Sequence, residues 1–369
     1  MQRSTCFILM LSLLVCCAPK QDEVERVIED GIEVVLNHTE PYVISGAKTF
    51  TVEKILTLDT ENDEIAGLGL TDINDIGVDS EGQIFVSNLR APGECIFIFN
   101  EEGRFVTAFG NRGQGPGEFQ RLLHMAVNDL DEIIVTDRGK VVVFSNDGEF
   151  TKEFRIDSEY MRIVPLNRDR YLAIAVKLQE DLSQSFQAIL CSSALEELEI
   201  LDSTTIGSFI KMDKVNIIPT ILHWETSRDL IFTGNSDEYE IRVFDFSGKP
   251  VRKIRKEYEA VLLTEDGKEG YRQQIQNYPP EIKNRFFIPE IYPPFRNIVV
   301  LNDNRLFVQT YDEPKEGASI FDIYSPEGIY INSVEFEGVP VEFYGENVYC
   351  RNEKASGYIE LVVYKMVWE

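Results

Sequence analysis

Apolar residues along most of this chain gather in short runs, cut by polar stretches rich in Gly, Asn, Asp and Ser. Short apolar runs bounded by turn residues predict β-strands. The pattern repeats. Asp75 to Asn88 lies over His124 to Asp137 without a gap, and Ile96 to Phe105 lies over Val141 to Phe150. Each unit is therefore four short strands separated by turns. An aromatic residue with a glycine at the fourth position after it recurs at Phe99 and Gly103, Phe144 and Gly148, Phe244 and Gly248, and Tyr324 and Gly328. A hairpin glycine that must take positive φ explains that spacing.

Four strands per unit, with a period in the forties, predict the blades of a β-propeller. Units begin near residues 73, 122, 160, 215 and 295, which makes five blades. Beyond them, segments 339–343, 347–350 and 359–366 supply only three strands. The run from Thr49 to Leu58 is a spare strand with no partner in its own neighbourhood. Placing it as the outer strand of a sixth blade closes the ring and pairs an edge that is otherwise open. The expected fold is all-β, a six-bladed β-propeller closed by an N-terminal strand completing the last blade, with one short helical insertion. The expected organisation is a lipoprotein signal peptide over 1–16, a tail or linker over 17–48, and the propeller over 49–369 with the insertion at about 264–294.

Arg3 precedes an apolar run from Phe7 to Val15, broken only by Ser12, which stops at Cys16 and Cys17. That run is too short to cross a bilayer as a helix, which takes about 20 residues. One positive charge before a short apolar core reads as a secretory signal. Leu14, Val15, Cys16 and Cys17 resemble the bacterial lipobox, with Cys17 as the lipid acceptor and Cys16 as the small residue before the cut. Lys20, Gln21, Asp22 and Glu23 are similar to the acidic signal that sends lipoproteins to the cell surface in Bacteroidetes-type bacteria. A plain cleaved signal peptide is the alternative. Both place the mature protein outside the cytoplasm, the first with a lipid anchor in the outer membrane, at the cell surface or facing the periplasm.

Composition narrows the partners. With 36 Lys and Arg against 63 Asp and Glu, the formal charge is -27. That field repels phosphate backbones and argues against nucleic acid. Cys95, Cys191 and Cys350 each sit inside an apolar run, which predicts buried free thiols and no disulfide framework.

Between the first two blades, the segment from Phe109 to Phe119 contains Gly115, Pro116, Gly117, Glu118 and Phe119 in sequence. It resembles the linker of NHL-repeat proteins. Together with Gly31 to Asn37, it makes the chain similar to the six-bladed β-propeller lipoproteins abundant in Bacteroidetes. The resemblance covers most of the mature chain, is strongest in blades 1 and 2, and is weakest in blade 3, which lacks the hairpin glycine. It implies a fold and a location, and little chemistry, because propellers host unrelated functions.

His124 and His223 fall on the inner strands of blades 2 and 4, where both would look into the central channel, while His38 precedes the ring. The peptidyl-hydroxyglycine lyases, an NHL-type group, hold zinc on three channel histidines, and lactonase-like propellers hold calcium on channel Glu, Asn and Asp. The first pattern would need His38. Asn74, Asp75 and Glu342 open inner strands and would suit the second, so a divalent cation in the channel is the candidate cofactor, against packed histidines and ordinary strand-end acids. Zinc-finger spacing, a nucleophile elbow and a phosphate-binding loop are all absent. The glycines from Gly110 to Gly117 either cradle an anion with their N–H groups or make a tight blade connection.

Arg112, Arg121, His124, Arg162, Lys214 and Arg296 cluster on the connections entering blades 2 to 5, which share one face of the ring. In the insertion, Glu265 to Asn277 reads as a helix ended by Pro279 and Pro280, followed by Phe286, Phe287, Tyr292 and Phe295. A long aromatic connection of this kind predicts a lid or wall at the channel mouth, with Tyr271 and Arg272 nearby. Converging cations in an acidic protein predict a ligand with a carboxylate, sulfate or phosphate, against the alternative of scattered surface ion pairs. The ligand-binding candidates are thus Arg112, Arg121, His124, Arg162, Tyr271, Arg272 and Arg296, and the lipidation candidate is Cys17. The leading expectation is an extracytoplasmic binding module for an extracellular ligand or an envelope protein. A metal-assisted hydrolase or lyase using the channel, and an envelope-complex scaffold, are the alternatives.

Overall fold

The computed structural model describes residues 24–42, 50–89, 93–128, 130–208, 214–312 and 318–368, so the signal segment and Cys17 lie outside the described residues. Six blades, each built on four antiparallel strands, stand around a central axis. Blade 1 comprises Ile76–Val78, Ile84–Ser87, Ile96–Phe99 and Phe105–Phe109. Blade 2 comprises His124–Val127, Ile133–Asp137, Lys140–Phe144 and Phe150–Arg155, and blade 3 Tyr160–Asn167, Arg170–Leu178, Gln184–Ser192 and Glu197–Ile206. Blade 4 comprises Leu222–Thr226, Leu230–Asn235, Glu240–Asp245 and Pro250–Lys256, and blade 5 Asn297–Val300, Leu306–Gln309, Ala318–Tyr324 and Tyr330–Glu337. Blade 6 takes Val339–Tyr344, Asn347–Glu353 and Ile359–Trp368 from the C-terminal part of the chain and Phe50–Asp59 from the N-terminal part. Leu58 pairs with Leu361 in that last ladder.

The continuous apolar runs have a physical cause. A middle strand packs against a neighbouring blade on both faces, so Ile84–Ser87 and Ile96–Phe99 are buried at every position, whereas the outer strand Phe150–Arg155 is largely exposed. Six hydrophobic clusters result, one in each space between consecutive blades. The hairpin glycines explain themselves in the same way. Gly148 has φ +85°, and a Cβ there would stand 2.6 Å from Cδ1 of Phe109 on blade 1. The equivalent glycines of blades 1, 4 and 5 press on Leu56, Glu199 and Ile254 of the preceding blade, so each turn needs both the backbone freedom and the missing side chain. In blade 3 the position belongs to Leu195, which holds φ +59° and packs against the cluster between blades 2 and 3.

Residues read as a tail carry a hairpin. Glu25–Glu29 pairs with Ile32–Asn37, and the second strand adds in parallel to Pro250–Lys256, giving blade 4 six strands. Arg255 holds Glu29 through two bonds of 2.6 and 2.7 Å. The buried Asn37 amide donates to the carbonyls of Arg255 and Gly328 and accepts from the Tyr330 N–H at 2.7 Å, stapling blade 4 to blade 5. The closing strand is latched just past its end. Thr60 Oγ1 donates to the Ile359 carbonyl at 2.7 Å, and Lys354 binds both Asp59 and Glu61.

The linker between blades 1 and 2 is occupied by its own side chains. Glu118 accepts from the Gly115 N–H at 2.8 Å, and Phe119 is buried in the cluster between those blades. Its role is therefore that of a tight connection. In the insertion, a helix over Glu265–Gln276 is capped by Thr264, and Phe286–Phe287 pairs in parallel with Val215–Asn216 on the connection into blade 4. No helix among the described residues is long and apolar enough to cross a membrane.

Candidate ligand site in the central channel

Side chains from blades that are not neighbours in the ring can meet only across the channel, and several do. His124 of blade 2 and Trp224 of blade 4 have ring centroids 6.3 Å apart at 78°. Arg162 of blade 3 lays its guanidinium 5.5 Å from the Trp224 centroid. The Arg162 charge also acts on Asp75 of blade 1 and Glu225 of blade 4. Glu342 of blade 6 also acts on Glu225. These six side chains define one site.

Its electrostatics follow from burial. The strand starts set the depth, with Asp75 preceding Ile76, His124 opening its strand, Arg162 and Trp224 third in theirs, and Glu225 and Glu342 fourth. Burial pushes the Glu225 carboxyl up to about 8, the Glu342 charge lifts it further, and Arg162 pulls it back. Burial alone pushes Glu342 up to about 7, against the Phe343 N–H that it accepts at 2.9 Å. Asp75 is raised by burial despite Arg162, the Met125 N–H and Ser87. His124 is held neutral, first by burial and then by the Arg162 charge, and its Nδ1 is buried without a hydrogen-bond partner. Arg162 is half-buried, and no carboxylate among the described residues lies within ion-pair distance of it.

The candidate residues separate into groups. Arg162 and His124 enter the channel. Arg296 is exposed where blade 5 begins, and its charge acts on Tyr311, as do Tyr271 and Tyr292 of the insertion. Tyr292 and Tyr311 are stacked with centroids 4.4 Å apart, so the insertion packs against blade 5 beside Arg296. Arg121 is exposed beside the turn that Asp137 organises by accepting three backbone N–H groups. Arg112 donates to the Leu89 carbonyl. Arg272 is engaged by Glu265 and Glu269 of its own helix and stays with them. Lys214 is exposed ahead of Val215.

His223 does not face the channel. It turns into the interface with blade 5, 5.0 Å from the Phe295 ring, and burial lowers it to about 4. His38 lies against Glu257 at 3.0 Å on the outer side of blade 4. Asn74 accepts from the Leu89 N–H. No group of three or more His, Cys, Asp or Glu among the described residues is placed to hold a metal ion, so neither metal pattern assembles. Trp224 and Glu225 were not legible as site residues. The signal available was a tryptophan and an acid inside an inner strand, where an apolar pair is the norm.

Residues 35–205 match the family model DUF5128, described as a 6-bladed beta-propeller. The chain is a six-bladed β-propeller. Two solved structures share this fold at TM-score 0.52. One is a Bacteroides fragilis protein described as exported, 12% identical, with 90% of this chain and 99% of that one covered. The other is a member of the duf4221 family from Bacteroides vulgatus, 13% identical, with 87% and 98% covered. At such identities the likeness of this propeller to both is one of fold. No curated protein matches the sequence.

Proposed function

We propose that this propeller is an exported, lipid-anchored binding protein that holds the anionic group of an extracellular ligand in its channel. The observation that carries the reading is Arg162. A half-buried guanidinium in a channel, stacked on Trp224 and lacking an acid at contact distance, is costly unless something negative joins it. The exposed cations Arg121 and Arg296 stand at the start of blades 2 and 5 and would draw such a group inward. Cys17 and the exported Bacteroides protein of the same fold support the location. The metal-assisted alternative has no ligand set among the described residues to support it.

Thermal unfolding of the mature protein with acetate, succinate, glucuronate or phosphate at constant ionic strength tests the ligand reading. At least one anion should raise the melting temperature of the wild type. Arg162→Met should weaken that anion by about 10- to 150-fold, the equivalent of a charged hydrogen bond of about 1.5–3 kcal/mol. No stabilisation by any anion, or an effect that survives Arg162→Met, would sink it. For the anchor, wild-type protein should enter the detergent phase and Cys17→Ser should not. A mature N-terminus beyond Cys17 without lipid would exclude the anchor.

A further inference from the structure

The two ends of the ring differ in their apolar surface. At one end lie the turns between first and second and between third and fourth strands, and among the described residues these turns expose a single large apolar side chain, Leu130. The other end, where the chain passes from blade to blade, exposes several around blade 4. Ile221 stands just before its first strand, and Tyr258, Leu262, Phe287 and Ile291 lie in the insertion that follows Pro250–Lys256. Leu262 and Ile291 pair in an antiparallel bridge, held by bonds from the Leu263 N–H to the Glu290 carbonyl and from the Tyr292 N–H to the Val261 carbonyl. Residues paired in this way project to the same side. Here that side is outward, because Leu262 is 69% and Ile291 44% exposed while the adjoining Leu263 is only 5%. Apolar side chains gathered at one end mark a surface that something covers.

The N-terminal hairpin indicates what covers it. Ile32–Asn37 runs parallel to Pro250–Lys256, so Asn37 stands beside Lys256, and the Glu257 N–H that opens the insertion donates to the Asn37 carbonyl at 2.9 Å. Glu25–Glu29 runs back along it with Glu25 opposite Leu36, so the chain enters the hairpin from the end of the ring that carries the insertion. Cys17 stands seven positions before Val24, which lets it reach at most about 25 Å from that end. Resting on the lipid anchor proposed above, we propose that the insertion end of the ring lies on the phospholipid surface that holds Cys17, with Leu262 and Ile291 entering at the headgroup level. The tether holds the patch at high local concentration beside the bilayer, so a small apolar area is enough for contact. Exposed acids, Glu257, Glu259 and Glu290, flank the pair, so the contact rests on apolar burial and favours neutral headgroups over anionic ones. Contact starts where the tether leaves blade 4. The ring therefore tilts, and the channel mouth beside blade 1, on the opposite side of the ring, stays open to solvent.

Lipidated full-length mature protein in vesicles of phosphatidylcholine and phosphatidylethanolamine tests this, with an environment-sensitive fluorophore placed on Leu262→Cys or, at the far end, on Leu130→Cys. The native thiols Cys95, Cys191 and Cys350 are buried and stay unlabelled. Flotation with the vesicles reads the anchor, and the label reads the orientation. Brominated lipid should quench the Leu262→Cys label at least about twofold and leave the Leu130→Cys label unchanged, while aqueous iodide should do the reverse. In the Cys17→Ser background both labels should be open to iodide. A floating protein whose Leu262→Cys label stays open to iodide would overturn the orientation and leave the anchor standing. Quenching by brominated lipid at Leu130→Cys instead would reverse the orientation and equally end the proposal. Protection of Leu262→Cys in native envelopes but not in pure vesicles would assign the patch to a protein partner and overturn the lipid contact. Protein that does not float loses the anchor, and the proposal falls with it. Ile291→Cys gives the same reading where Leu262→Cys fails to fold.

Discussion

Replacing Glu225 and Glu342 with glutamine should change how stability depends on pH. In the unfolded chain both carboxyls titrate near 4.5, whereas in the fold they are pushed up to about 8 and about 7. Between those values the folded state keeps protons that the unfolded state has released, so stability falls as pH rises from about 4.5 through 8. Each unit is worth about 1.4 kcal/mol. Shifts of this size set ceilings of about 5 and 3 kcal/mol, and the residual exposure of both side chains lets water screen them and reduces the combined loss to about 2–4 kcal/mol. Two histidines act in the opposite sense. His223 is lowered to about 4 and His124 well below its usual value, so stability also falls as pH drops from 6.5. The four groups balance about midway between the two unfolded values, near pH 5.5. Urea-unfolding midpoints of the wild type should therefore fall between pH 6 and pH 8.5, while the double variant Glu225→Gln, Glu342→Gln should lose most of that slope. A flat wild-type profile, or a double variant that keeps the full slope, would refute the placement of these acids.

Other consequences are open to the same assay. Gly148→Ala should cost about 2–4 kcal/mol, from left-handed backbone strain and the clash with Phe109, against about 1–2 kcal/mol for Gly357→Ala, where φ is +82° but nothing lies within 4 Å; equal losses would dismiss the close approach. Asp322 receives Lys256 at 2.7 Å and the Tyr239 hydroxyl at 2.6 Å in a buried network between blades 4 and 5. Asp322→Ala leaves that lysine uncompensated and should cost about 3–5 kcal/mol, checked by the unfolding midpoint. Asn37→Ala strands the Tyr330 N–H and should cost about 1–3 kcal/mol, whereas a loose N-terminal segment would show no loss.

The ring was legible because its physics repeats. Strands buried on two faces must read as unbroken apolar runs, and the turns pressed against the preceding blade carry glycine in blades 1, 2, 4 and 5, so these units announce themselves. The strand Phe50–Asp59 was legible for another reason, since an isolated strand has to find an edge. The hairpin over Glu25–Asn37 left no such trace. Its partner, Pro250–Lys256, lies more than 200 residues away and pairs in parallel, which no local pattern encodes. In the channel, the alignment of inner strands brought out Arg162 and His124. It misplaced His223 because inner-strand residues turn either to the channel or to a blade interface according to local twist, and period-two alternation does not distinguish the two. Arg272 had a legible fate in Glu269 three positions earlier, a spacing that puts both on one side of a helix.

The net charge bears on the channel in a way that composition alone conceals. At -27 the protein repels an anion at long range, although salt confines that field to about 8 Å at physiological ionic strength. A ligand drawn by Arg162 has to overcome this outer field, so its anionic group must be held by contacts that count only inside, the guanidinium and the Trp224 ring it lies on, where exchange of water for protein strengthens them.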